Sequence, residues 1–178
     1  MIKSVISALS VLFVTSAPAP AQDLVAQIFE HYQTKCNNIP LDLQAFDELD
    51  GNQEPRELRP LDNTIYEIQL TPDGKTGTVV YPAFWCEHAG HPFCGTGGCG
   101  FYIIVDEKIF GRRGGHRPHS VVSAKGVYVI LPIHGSGCVT SEGQSGAGAD
   151  SCSVVAIWDD QAQTFRSKDG EIYPRKLE

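Results

Sequence analysis

Sulfur and imidazole side chains are concentrated between Cys86 and Cys99, in the run Cys-Glu-His-Ala-Gly-His-Pro-Phe-Cys-Gly-Thr-Gly-Gly-Cys. Cysteine and histidine at this density form either covalent crosslinks or a metal site, and one sulfur cannot serve both at once. The chemistry of this run therefore depends on where the protein works and on which sulfurs pair.

Six cysteines occur in the chain, and all of them follow residue 21: Cys36, Cys86, Cys94, Cys99, Cys138 and Cys152. An even count in an exported chain indicates a disulfide framework, although sequence alone leaves many connectivities open. Cys94 and Cys99 enclose Gly-Thr-Gly-Gly, a segment flexible enough to close a tight loop, and this spacing favours a bridge between them.

The other four cysteines suggest two longer bridges. Cys138 and Cys152 bracket a Gly-, Ser- and Ala-rich segment between two apolar runs. A bridge that closes a loop of this size contributes about 3 kcal/mol in the chain-entropy description. By elimination, Cys36 then pairs with Cys86 and joins an N-terminal helix to the sheet.

Metal binding is the alternative chemistry. Two His-x-x-His pairs, His88/His91 and His116/His119, could supply four imidazoles to zinc or copper. A proline follows the first pair and another interrupts the second, so neither pair suits a helix that would fix ligands three residues apart. We therefore expect no cofactor, with zinc or copper at the four histidines as the alternative hypothesis.

The sulfurs could also bind a metal, most simply Cys86, Cys94 and Cys99 together with His88 or His91. The four residues between Cys94 and Cys99 exceed the Cys-x-x-Cys spacing typical of zinc ribbons. In an oxidising compartment disulfides are the favoured interpretation.

Three arginines, Arg112, Arg113 and Arg117, form a basic patch in an acidic chain. The guanidinium fork matches carboxylate and phosphate groups, so this loop could recognise a small anionic ligand or an acidic protein surface. Pairing with the protein's own Asp and Glu is the simpler interpretation, because surface charge pairs are common and weak. The same positive charges would repel a cation from the adjacent His116 and His119.

Catalytic patterns are incomplete. A nucleophilic cysteine needs an unpaired thiol, which the even count opposes. Ser136 lies in His134-Gly-Ser-Gly, but a serine nucleophile elbow needs Gly-x-Ser-x-Gly before a helix, and no helical pattern follows. The sequence thus favours a non-catalytic binding or interaction module, with an unknown protein or small anionic ligand as its partner.

The N-terminus resembles a secretory signal. Lys3 is followed by the short apolar stretch 5–14, and Ala19-Pro-Ala21 supplies the small residues that a signal peptidase requires. The apolar stretch is too short to span a bilayer. We predict a signal peptide over 1–21, cleavage near Ala21, and a periplasmic or secreted domain over 22–178.

The charge balance limits the partners. The chain has 14 Lys and Arg against 21 Asp and Glu, a net charge of −7. Nucleic acids and anionic membranes require clustered basic residues, so neither is an expected partner, and no later segment is apolar enough for membrane insertion. The length after cleavage suits one domain.

Helical periodicity predicts one helix over 24–36, with Asp23 as its N-cap. Short strands are predicted at 65–70, 78–81, 101–105, 108–110, 120–123, 127–133, 152–158, 164–166 and 172–173. Strands this closely spaced must pair antiparallel with their neighbours. The predicted fold is α+β: an N-terminal helix packed on a meandering antiparallel sheet that can curl toward a barrel, stabilised by disulfides.

A family resemblance covers about half of the chain. Leu70-Thr-Pro-Asp-Gly-Lys75, an apolar strand, Cys86 and then Phe93-Cys-Gly-Thr-Gly-Gly-Cys99 are similar to a group of small exported bacterial proteins with a Phe-Cys-Gly-Ser/Thr-Gly-Gly-Cys motif. The region from His134 through Cys152 to Trp158 also resembles that group. The resemblance implies an exported disulfide domain and no particular chemistry. Pro72 and Lys75 replace the polar or acidic turn residues of the group, which weakens a calcium-loop interpretation.

Overall fold

The computed structural model of the chain describes residues 19–40, 55–95, 97–112, 114–133, 152–167 and 172–177. The helix in this part is α1 (Ala19–Asn37). The strands are β1 (Leu58–Pro60), β2 (Ile65–Gln69), β3 (Thr76–Val80), β4 (Phe84–Cys86), β5 (Cys94–Gly95), β6 (Gly98–Cys99), β7 (Phe101–Val105), β8 (Lys108–Arg112), β9 (His119–Ser123), β10 (Gly126–Ile133), β11 (Cys152–Asp159), β12 (Thr164–Ser167) and β13 (Tyr173–Pro174).

These strands form two main sheets and two short ribbons. The five-stranded sheet has the order β13-β8-β7-β3-β2, and the four-stranded sheet has the order β12-β11-β10-β9. In the ribbons, β1 pairs with β4 and β5 pairs with β6. All of these ladders are antiparallel, as short connections between successive strands require. The predicted α+β class with an antiparallel meander is confirmed.

Strand β7 shows why the five-stranded sheet is so apolar. Every side chain of Phe101–Val105 is buried. Because successive side chains point to opposite faces, Phe101 and Ile103 enter the core between the two sheets, whereas Tyr102 and Ile104 face the helix. A strand covered on both faces needs a continuous apolar run, which explains the sequence Phe-Tyr-Ile-Ile-Val.

The four-stranded sheet closes the core from the other side. Val129, Leu131 and Trp158 point inward from β10 and β11. The rings of Phe110, Trp158 and Phe165 meet edge to face with centroids 5.1–5.6 Å apart. Aromatic pairs in this geometry add to the stabilisation that burial alone provides.

The two sheets also approach each other at their edges. Beside β2 and β9, the Gln69 nitrogen donates to Ser120 Oγ at 3.2 Å, and the Tyr66 hydroxyl donates to the main-chain oxygen of Pro118 at 2.7 Å. At the opposite edges, β12 lies beside β13. The nine strands therefore curl around one core in the barrel-like manner predicted from the sequence.

Helix α1 covers the outer face of the five-stranded sheet. Ile28, Tyr32 and Cys36 recur at helical spacing and are buried against that face. The Tyr32 ring contacts Phe84 and Tyr102 edge to face, with centroids 5.3 and 6.3 Å apart. The helix thus adds a second apolar core to the first.

The start of α1 differs from the prediction. The described helix begins at Ala19, so Asp23 lies inside it and is not its N-cap. A proline at position 20 is compatible with the first turn, where main-chain N–H groups have no partner within the helix. The predicted cleavage point after Ala21 therefore falls inside α1, and the Ala21 side chain is buried in the apolar core beneath the helix. Within the described ranges, no helix combines the length and the apolar composition needed to cross a membrane.

Two disulfides follow the predicted pairing. Cys36 at the end of α1 bonds to Cys86 at the end of β4, and Cys94 bonds to Cys99 across the β5–β6 ribbon. Cys152 is also disulfide-bonded. Its predicted partner, Cys138, lies outside the described residues. The Cys36–Cys86 bond attaches the helix covalently to the sheet it covers.

Candidate functional site

The disulfides decide the chemistry of the Cys- and His-rich run. Cys86, Cys94 and Cys99 are all oxidised, and a disulfide sulfur is neither a thiolate nucleophile nor a thiolate metal ligand. The crosslink interpretation of these three residues is confirmed. The alternative that combined them with His88 or His91 around a metal is wrong.

The four predicted histidine ligands occupy separate local structures. His88 lies in the turn after β4 with a positive φ of 60°, and its Nε2 lies 3.8 Å from a carboxylate oxygen of Glu87. His91 is exposed in the next turn, His116 is exposed before β9, and His119 is the first residue of β9. Among the residues that the structure describes, these four included, no group of three or more His, Cys, Asp or Glu side chains is arranged to hold a metal ion.

The predicted arginine patch divides into different environments. Arg112 is the last residue of β8 and is half-buried, with its Nε and Nη1 atoms shielded from solvent. Arg113 lies outside the described residues. Arg117 is exposed on the connection to β9. We call residues 114–118 the Arg117 loop.

Hydrogen bonds to the main chain fix the Arg117 loop in place. The Gly115 nitrogen donates to the Gly97 oxygen at 2.9 Å, and the His116 nitrogen donates to the Pro132 oxygen at 2.8 Å. These bonds connect the loop to the β5–β6 ribbon and to the end of β10. Gly114 and Gly115 have φ values of 71° and 126°, a region that glycine enters freely.

Two tyrosines hold the same loop from the core side. Tyr66 donates to the Pro118 oxygen at 2.7 Å, and Tyr81 donates to the Gly115 oxygen at 3.4 Å. Burial raises the pKa of Tyr66, and the positive charge of Arg117 offsets part of that rise. Tyr66 therefore stays protonated at ordinary pH and retains the proton that it donates.

The Arg117 side chain extends from this fixed base. Its Nη2 donates to the main-chain oxygen of Asp62 at 3.0 Å, and its guanidinium carbon lies 5.5 Å from the centre of the Tyr81 ring. Within the described part of the chain, no carboxylate lies at ion-pair distance from Arg117. Pairing of the patch with the protein's own acids is therefore not seen for Arg117 among the described residues. The guanidinium is oriented by uncharged partners and keeps its charge available on the surface.

Comparisons with protein-family models, curated proteins and solved structures find no match to this chain. The resemblance to exported bacterial proteins stays a prediction.

Ser136, the serine considered as a nucleophile, and its glycine-rich segment lie outside the described residues.

The sequence did not identify the residues that orient Arg117. Tyr66 and Tyr81 bond to the loop across sequence separations of 52 and 34 residues. Their only sequence signal is that both are tyrosines in or next to strands, where a buried ring commonly finds a partner for its hydroxyl.

Proposed function

We propose that the chain is an exported, non-catalytic binding module that recognises an anionic group of a protein partner through Arg117. The observation that carries this proposal is the exposed guanidinium on a loop that four hydrogen bonds hold to the sheets and to the β5–β6 ribbon. A site whose geometry is set before binding loses less conformational entropy when its ligand arrives.

The chemistry of Arg117 defines the group that it recognises. A guanidinium offers parallel N–H donors that match a carboxylate or a phosphate. The bond to the Asp62 oxygen and the contact with the Tyr81 ring hold the side chain in one orientation. His116 and His119 lie on either side of Arg117 in the chain and are also exposed, so they are further hydrogen-bonding groups close to it in sequence.

The strength of one exposed contact favours a macromolecular partner over a free ion. An exposed ion pair contributes about 0.2–1 kcal/mol. An acidic segment of a protein can add further contacts around Arg117, which a single phosphate cannot.

The test is a titration of the oxidised chain, followed by NMR of the main-chain amides, with an acidic peptide of alternating Glu and Gly, with sodium acetate and with inorganic phosphate. We expect the peptide to shift signals of residues 114–119 and to bind at least about tenfold more tightly than acetate. Arg117→Gln should weaken peptide binding by roughly fivefold, whereas Arg117→Lys should retain only part of it because lysine lacks the planar fork.

Arg59 provides the matched control. It is also an exposed arginine next to an aromatic ring, with its guanidinium carbon 4.3 Å from the centre of Trp85. Arg59→Gln removes the same charge at another place and should leave peptide affinity unchanged. Equal weakening by both variants would reduce the effect to net charge, and unchanged binding by Arg117→Gln would overturn the proposal.

Export has its own test. Disulfides persist in oxidising compartments, and the predicted signal over 1–21 provides a route there. Expressed in a Gram-negative bacterium, the chain should be recovered from the periplasm or medium beginning at Gln22. Ala21→Leu should block this cleavage, whereas Ala26→Leu, at an exposed position of α1, should not. Recovery of an uncleaved chain with free thiols from the cytoplasm would contradict export.

A further inference from the structure

The outer face of the four-stranded sheet is apolar and exposed. Burial alternates along β10, so that Val127, Val129, Leu131 and Ile133 point into the core and the residues between them point outward. The centre of the outer face is apolar and contains Val121, Tyr128, Ile130, Val155 and Ile157, with His119, Ser153 and Arg166 toward its edges. Val121 lies opposite Tyr128, and Ile130 lies opposite Val155, so these side chains are adjacent across the strands.

This face contrasts with the five-stranded sheet of the same molecule. Strand β7 is apolar at every position because α1 covers one side and the core covers the other. Strand β11 has a similar apolar run, Val-Val-Ala-Ile-Trp, but Val155 and Ile157 remain 47% and 48% exposed. One-sided antiparallel sheets usually alternate apolar and polar residues. The composition of β11 is therefore that of a strand covered on both faces.

We propose that this outer face packs against the same face of a second copy of the chain. Two properties select a second copy as the occupant: shape and charge. Two identical sheets have the same twist, and sheets of equal twist pack face to face in an aligned arrangement about 10 Å apart. A two-fold axis places each apolar patch on its own equivalent.

The charges on this face are balanced. Arg166 lies opposite Ile157 and forms an ion pair with Asp159, which is on the same side of β11. Two copies can therefore meet here without repulsion between the faces, although the chain as a whole carries a charge of −7. The described side chains of this face carry no net charge that would attract a strongly charged partner. An apolar core with charged residues at the rim is the usual arrangement of a protein interface.

The area predicts a weak dimer. The four strands are about 4.8 Å apart and contain 8, 8, 5 and 4 residues in β10, β11, β9 and β12, so that the face covers roughly 400 Å². Two such faces bury roughly 800 Å² in total, which is in the range of weak, transient interfaces. We expect a concentration-dependent dimer with a Kd on the order of 100 μM.

Analytical ultracentrifugation of the oxidised chain from about 5 μM to 1 mM tests the proposal, a range chosen to bracket the expected Kd. The mass should rise from monomer toward dimer. Val155→Lys puts a charge at the centre of the face and should weaken the dimer at least about tenfold. A mixed sample of labelled and unlabelled chains should show NMR contacts between Val155 or Ile157 methyl groups and the other copy.

Adjacent valines on β9 provide a matched control. Val121 and Val122 are 44% and 59% exposed, but Val122 lies opposite the buried Val127 and so points to the other side of the sheet. Val121→Lys should weaken the dimer, and Val122→Lys should not. Thermal unfolding establishes that each variant is folded. A monomer at 1 mM, equal effects of both β9 variants, or a monomer that binds a different protein at this face would each overturn the proposal.

Discussion

The hydroxyl of Tyr81 donates a hydrogen bond to the main-chain oxygen of Gly115 at 3.4 Å. The same hydroxyl accepts a hydrogen bond from the Cys99 nitrogen at 3.3 Å. Through one buried side chain, the five-stranded sheet thus holds both the β5–β6 ribbon and the Arg117 loop. The Tyr81 ring also lies under the Arg117 guanidinium, so this tyrosine orients the loop and its exposed charge together.

Removing this hydroxyl should loosen the Arg117 loop. Tyr81→Phe keeps the ring but leaves two main-chain groups without their partner, and we expect the free energy of unfolding to fall by about 1–2 kcal/mol. Binding of the acidic peptide should weaken as well. Chemical denaturation and peptide titration measure the two effects.

Tyr128→Phe is the control for this change. Tyr128 is on the outer face of the four-stranded sheet, and among the described contacts its hydroxyl has no hydrogen-bond partner. Its replacement should alter stability by less than about 0.5 kcal/mol. If both substitutions had the same small effect, the bonds of Tyr81 would not support the loop.

The contact between Gly98 and Gly115 should tolerate no side chain. Gly98 has a φ of 83° and forms a parallel bridge with Gly115. A Cβ at position 98 would overlap the Gly115 main-chain oxygen, which cannot rotate away. We expect Gly98→Ala to cost about 2–3 kcal/mol and to weaken peptide binding.

Gly95 lies in the same ribbon and gives the matched substitution. A Cβ at position 95 has no atom within 4 Å, so Gly95→Ala should be nearly neutral in the same denaturation measurement. A Gly98→Ala variant as stable as Gly95→Ala would mean that the ribbon and the Arg117 loop separate without cost.

Local pattern predicted most of the elements, because alternation and turn residues act over a few positions. The predicted run 101–105 matches β7, and 127–133 differs from β10 only at its start. Strands β1 and β4 were not predicted, because each has three residues and β1 ends in a proline. Such strands depend on their mutual pairing, which brings Leu58 opposite Cys86.

The candidate site was only partly predictable for the same reason. The sequence identified Arg117, but it also placed Arg112 in the same patch. In the structure β8 ends at Arg112, and Gly114 and Gly115 then redirect the chain, so the two arginines lie in different environments. The supporting bonds from Tyr66 and Tyr81 join distant segments, so no local pattern indicates them. The exposed apolar face of the four-stranded sheet was not predicted either. An apolar run indicates that a strand is buried, but it does not show which part of the protein, if any, covers each side.

A charge cluster at the opposite end of the sheets should contribute modestly to stability. Lys75 Nζ lies 3.0 Å from carboxylate oxygens of both Asp106 and Asp160, and 5.2 Å from the centre of the Trp158 ring. It joins three turns that are distant in sequence. Since the pairs are exposed, we expect Lys75→Met to lower Tm by only roughly 2–4 °C at neutral pH.

The pH dependence identifies the contribution of Asp160. The hydrogen bond from Lys75 lowers the pKa of Asp160 below its ordinary value of 3.8. This stabilisation is therefore present above pH 3.8 and is lost as the pH falls through the lower pKa of the folded state. The difference in Tm between wild type and Lys75→Met should shrink as the pH falls from about 5 to about 2. Lys125→Met, at an exposed hairpin position, should show no such convergence.

The two described disulfides should contribute unequally. Cys36–Cys86 closes a loop with a sequence separation of 50, and Cys94–Cys99 closes one of 5. If a crosslink acts mainly by restricting the unfolded chain, its contribution grows with the logarithm of loop length. Replacing both cysteines of the first pair by alanine should then cost about 4 kcal/mol, and replacing both of the second pair about 2 kcal/mol.

Denaturation of both double variants under oxidising conditions measures this difference. Each variant loses the same two sulfur atoms, so the comparison largely isolates the effect of loop length. The Cys36–Cys86 variant should also release α1 from the sheet it covers, which amide exchange in residues 24–36 would detect as faster exchange. A larger cost for the short loop would mean that Cys94–Cys99 acts chiefly in the folded state, where the β5–β6 ribbon bonds to the Arg117 loop through Gly97 and Gly115.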